Sequence, residues 1–113
     1  MASEPRPPID MVHLGTYTQG DRTLEGELLS MFLPSAQGYM DAMTAGAEGR
    51  DEGWWTAAHS LKGVALGVGA WEIAALAEAA EGHRDSPPPV RQGDVAALQA
   101  ALERVRCFVA NLT

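Results

Sequence analysis

The chain has 113 residues, 46% hydrophobic and 20% charged, with a formal net charge of −7, enough for one domain that buries a core without disulfides or metal. The acidic balance disfavours nucleic acid, whose phosphates require clustered Lys and Arg, and equally an anionic membrane surface. No apolar run approaches the roughly 20 residues of a membrane span, and the N-terminus lacks the pattern of a signal peptide. The single Cys107 cannot close an internal disulfide and is expected as a buried apolar filler. Nineteen alanines, with Leu, Met and Glu, favour helix, while Val and Ile are sparse and never alternate as strands require. A cytoplasmic, acidic, all-α domain is the expectation.

Residues 1–8 carry three prolines and no apolar period, so a flexible tail should precede a domain over 9–113. A short helix is predicted from about Asp10 to Tyr17, closed by Thr18-Gln19-Gly20. Asp21 can cap a second helix whose apolar positions are Leu24, Leu28, Met31, Phe32, Met40 and Met43, with a kink or break at Pro34. The run AEGRDEG (47–53) is a connector, Asp51 a cap for a third helix reaching Val68, and Gly67 and Gly69 loosen its end. A fourth helix over 70–81 sets Ile73, Ala77 and Ala80 along one side with Ala70 or Trp71. The three consecutive prolines of GHRDSPPPVRQG (82–93) mark a loop, and Asp94 should begin the last helix, striped by Val95, Leu98, Leu102, Val105, Val109 and Leu112. With no internal repeat, this order points to an up-down-up-down antiparallel four-helix bundle with a short extra N-terminal helix.

The third helix holds the most informative pattern. Lys62, in HSLKG, is the only lysine of the chain; the other seven basic residues are arginines. At 100° per residue Trp54, Ala58, Leu61, Ala65 and Val68 form the core stripe, and His59 falls about 130° from its centre, with Lys62, Gly63 and Leu66 on the same outward side. Gly63 costs about 0.5–1 kcal/mol relative to Ala inside a helix. Either it leaves a notch for something that approaches the backbone, or it packs against another helix. Lys62 is either an ordinary solvated charge or a partner of the imidazole one turn away. His13 and His83 read as solvated surface histidines, and the three tryptophans as core or core edge, with Trp55 on the side towards His59.

HSLKG, with Leu61, Ala65, Val68 and then Gly69 ten residues after His59, resembles the signature of bacterial histidine phosphotransfer (HPt) domains, and the sequence from Ile9 onward is similar to the first helices of such domains. One departure is Val64, where many members have Ser or Ala. The resemblance implies that His59 takes a phosphoryl group on a ring nitrogen from an aspartyl phosphate and passes it to the aspartate of another receiver domain. Neutral imidazole is a competent nucleophile near neutral pH. Lys62 would supply positive charge to the phosphoryl oxygens, and Gly63 would leave room for the receiver. Glu81, 22 residues after His59, lies where members carry a group that hydrogen-bonds Nδ1; the other reading is a solvated carboxylate at a helix end. Leu66, Val64 and Trp55 would form the docking rim. The implied partners are response-regulator receiver domains and a hybrid histidine kinase, the carrier being a monomer with no cofactor of its own and the Mg²⁺ belonging to the receiver.

Two other readings compete. An adaptor bundle would bind receivers without phosphotransfer, and intact His59 and Lys62 argue against it. An enzyme using His59 as general base would need a second catalytic group converging on a concave site, which the pattern lacks. A glycine-rich nucleotide loop is likewise missing from the sequence, so kinase activity is not expected.

Overall fold

A computed structural model of the chain describes residues 6–47 and 52–112. Among them five helices form: α1 (Met11–Thr18), α2 (Arg22–Gly46), α3 (Glu52–Val68), α4 (Trp71–Glu81) and α5 (Pro88–Ala110). Helix α2 packs against α3 and α5, α4 packs against the same two, and α1 lies against α2 and α3. The four longer helices thus surround one core of Leu29, Met40, Met43, Trp54, Leu61, Ile73, Leu98 and Leu102 with a lining of alanines. The small residues Ala74, Ala77 and Ala80 on α4 let its backbone approach α3, which brings the two functional faces together. The Asp51 cap and most of the connector before α3 lie outside the described residues.

Asp10 caps α1, accepting from the backbone N–H of Val12 and His13 at 3.1 Å each. Its other oxygen accepts from the indole N–H of Trp71 at 3.0 Å, and its own N–H donates to the Gly69 carbonyl at 2.9 Å. Gly69 has φ +80°, and a Cβ there would sit 3.1 Å from both Asp10 Cβ and the Asp10 carbonyl oxygen, so this turn admits only glycine without strain. The second glycine of the motif therefore joins α1 to the α3–α4 turn. The Trp71 indole, followed by the backbone N–H groups of His13 and Val12, holds the Asp10 carboxyl below its ordinary pKa. A group more acidic when folded contributes fully above its unfolded value of about 3.9 and loses that contribution as pH falls through the folded value. Acid titration followed by circular dichroism should therefore show a steeper stability loss below about pH 4 for the native chain than for Asp10→Asn; equal slopes would count against the cap's ionic role.

Several expectations are corrected. The buried face of α2 is Glu25, Leu29, Phe32, Ala36, Met40 and Met43, whereas Met31 is 68% exposed and Leu24 lies at the surface. Phe32, Met40 and Met43 are buried as expected and Leu28 packs half-buried on the core, while at the start of the helix Glu25 takes the place of Leu24, its carboxylate accepting from the Thr18 hydroxyl at 2.8 Å with the Arg22 guanidinium 3.5 Å away. Helix α2 runs through Pro34 without a break, the proline lying on the exposed side where water can take the carbonyl that its missing N–H leaves.

Helix α5 begins at Pro88, six residues before Asp94, with Pro87 as N-cap. Prolines fit the first turn because its N–H groups have no intrahelical acceptor. The loop is therefore residues 82–87, shorter than expected, and it is tied down by buried Arg91, which donates from Nε to the Ala47 carbonyl at 3.1 Å and from Nη1 to the carbonyls of Arg84 and Ser86. Cys107 is exposed, not buried, since it falls off the stripe of Leu98, Leu102 and Val105. His13 is partly buried and meets Tyr17 and Trp71 edge-on, its Nε2 buried with no hydrogen-bond partner among the described residues. His83 is not simply solvated either, because its Nδ1 lies 2.8 Å from Asp94 Oδ2 and ties the end of α4 to α5.

Candidate functional site

The exposed side of α3, beside the end of α4, carries the grouped chemistry. His59 is 57% exposed at its side chain, and its Nδ1 lies 2.8 Å from Glu81 Oε1. Helix α4 delivers that carboxylate because Trp54, one helical position before Trp55, buries its indole beneath and donates from Nε1 to the Ala80 carbonyl at 2.8 Å. A carboxylate only accepts, so Nδ1 is assigned as the protonated nitrogen and Nε2 keeps the lone pair. One turn before His59, the Trp55 ring stacks on the imidazole with centroids 4.6 Å apart and planes 10° from parallel.

Lys62 differs from an outward, freely solvated charge. Its side chain is 26% exposed, with Nζ 3.6 Å from Glu78 Oε1 and 3.9 Å from Glu81 Oε2. Glu81 thus faces both the imidazole and the ammonium, which separates it from a solvated helix-end carboxylate. The sequence reading missed Glu78, although its i, i+3 relation to Glu81 puts both on one face of α4. A Cβ at Gly63 would meet nothing within 4 Å, so the glycine does not pack against a neighbouring helix and the packing reading is excluded. Leu66 is 42% exposed and Trp55 38% exposed. Val64 is half-buried and packs against the core, leaving it at the rim of this face.

The structure thus brings His59, Lys62, Glu81 and Trp55 together with a bare helical backbone at Gly63, on an all-helical scaffold. The exposed imidazole has one nitrogen held by a carboxylate and, among the described residues, no partner on the other, so that nitrogen is open to bond formation. The family model of the Hpt domain matches residues 27–107, and the chain belongs to that family. Its members are phosphotransfer carriers of two-component phosphorelays, not kinases, and work with receiver domains and kinases. The matched range contains every residue of the site and excludes α1. Comparisons with curated proteins and with solved structures returned no match. Among the described residues, no helix is long and apolar enough to cross a membrane.

Proposed function

We propose that this domain is a phosphorelay intermediate that accepts a phosphoryl group on Nε2 of His59 from a receiver-domain aspartyl phosphate, in a hybrid kinase or a response regulator, and passes it to the aspartate of another receiver. The observation that carries this reading is the 2.8 Å contact of His59 Nδ1 with Glu81 on an exposed helix face beside bare Gly63. In the forward step the Nε2 lone pair forms the N–P bond as the P–O bond to the aspartate breaks and the carboxylate leaves. The ring proton stays on Nδ1, shared with Glu81. The onward step reverses this on a second receiver. Lys62, between two carboxylates of α4, supplies the positive charge available to phosphoryl oxygens. The carrier works as a cytoplasmic monomer, with the four longer helices running up-down-up-down. The Mg²⁺ of the reaction belongs to the receiver's acidic pocket.

Incubation with phosphorylated receiver domains tests this reading. An acid-labile phosphohistidine should appear on the carrier as the receiver loses its label. Receiver binding without any transfer would establish the adaptor reading instead.

Gly63 gives a second expected result. Because nothing lies within 4 Å of a Cβ there, Gly63→Ala should raise stability by about 0.5–1 kcal/mol through helix propensity. Gly63→Gln should keep the fold but obstruct a docking receiver, raising its apparent Kd and slowing transfer. Thermal melts and receiver titration measure the two effects. Lower melting temperatures with normal receiver binding would overturn the notch.

A further inference from the structure

We infer that Trp55 is a catalytic residue of the transfer: its indole holds the plane of the His59 ring and stabilises the positive charge the ring gains as Nε2 takes a phosphoryl group. The inference rests on the reading of His59 as the acceptor. Trp55 and His59 are i and i+4 on α3, so their side chains are neighbours on the helix surface. The observed contact is more specific than proximity, with centroids 4.6 Å apart and planes 10° from parallel. A histidine this exposed would otherwise turn freely about both side-chain torsions. The Glu81 bond fixes where Nδ1 points, and the stacked indole fixes the plane of the ring.

The same arrangement bears on charge. Before attack the ring is neutral, with its proton on Nδ1 and a lone pair on Nε2. Once Nε2 is bonded to phosphorus and Nδ1 still holds its proton, the ring is a substituted imidazolium. Two groups oppose that charge from perpendicular directions: the Glu81 carboxylate in the ring plane, and the negative π face of the indole above it. Tryptophan has the strongest such face of the aromatic side chains. The interaction is weaker with the neutral ring and stronger with the charged one, which is the condition for lowering a barrier. The other histidines lack this combination. His83 has a carboxylate at the same 2.8 Å but, among the described residues, no stacked ring. His13 meets its aromatic neighbours edge-on, at 80° and 62°.

Phosphoramidate separates this effect from partner docking, because it is small and needs no receiver. The His59 Nε2–P bond forms as the P–N bond of phosphoramidate breaks and ammonia leaves. Native chain, Trp55→Phe, Trp55→Leu and His59→Gln would be treated with phosphoramidate, phosphohistidine followed by phosphorus NMR, and fold checked by thermal melts. The expected result is a rate about two- to tenfold lower in Trp55→Leu, the range an aromatic contact is worth, with Trp55→Phe recovering most of it and all melts alike. A Trp55→Leu rate equal to the native one, with His59→Gln unlabelled, would overturn the role of Trp55 and leave the acceptor reading standing. Labelling of His59→Gln at the native rate would overturn the acceptor reading and the role of Trp55 with it.

Discussion

His59→Gln should abolish phosphohistidine formation entirely while leaving the fold unchanged. Among the described residues of this face, the imidazole is the only group with a free nitrogen lone pair beside a carboxylate-held N–H. An amide nitrogen has its lone pair delocalised into the carbonyl and cannot replace it. Glutamine suits an exposed helix position and can still hydrogen-bond Glu81, so the melting curve should shift by no more than a surface substitution usually does, about 0.5 kcal/mol. His13 and His83 remain in the variant and act as internal controls. His83 is paired with Asp94 across two helices, and His13 is enclosed by Trp71 and Tyr17. The measurement is acid-labile label transferred from a phosphorylated receiver. Label in the variant equal to that in the native chain would move the acceptor to one of those two histidines.

How much of this was legible in the sequence depends on which forces place each residue. The α3 stripe of Trp54, Ala58, Leu61 and Ala65 is buried as the 3.6-residue period requires, so the outward angle of His59 was accessible without coordinates. The contact with Glu81 joins residues 22 apart in sequence and came only with the family resemblance, since helix periodicity says nothing of how α4 is set against α3. On α2 the period places Phe32, Met40 and Met43 in the core but not Glu25, which counts as polar in any apolar pattern, while the hydroxyl of Thr18 makes its burial tolerable. The start of α5 was misplaced because prolines break helix interiors yet suit first turns, and the pattern alone does not say which applies. Lys62 was placed on the right helix face but not at its ion pairs, because a long flexible side chain is positioned by carboxylates on another element. Stacking of Trp55 on His59 followed the i, i+4 spacing, yet only the ring planes distinguish it from an edge contact.

Trp54→Ala should be the most destabilising substitution near the site, and its neighbour Trp55 supplies the contrast. Trp54 is 1% exposed, and its ring carries the buried Arg91 guanidinium 6.0 Å from its centroid. Truncation removes a large apolar volume between α3 and α4 and takes away one side of the packing around Arg91, which ties α5 and the preceding turn to the end of α2. Such truncations cost about 3–5 kcal/mol, a large part of the roughly 5–15 kcal/mol that holds a domain folded. For a chain of this size the melting temperature should fall by roughly 10–20 °C. Trp54→Phe should cost far less. It keeps most of the volume, and the Ala80 carbonyl it leaves still accepts from the His83 N–H at 3.0 Å, so the loss is about one hydrogen bond, 0.5–1.5 kcal/mol. Phosphotransfer should follow the same order. Glu81 comes directly after Ala80, so loosening this turn of α4 displaces the carboxylate that orients His59, whereas Trp54→Phe retains it. Melts and transfer rates of Trp54→Ala, Trp54→Phe and Trp55→Leu together decide the point. A Trp54→Ala chain melting within a few degrees of the native one would show that α4 is held by other contacts, and Glu81 with it.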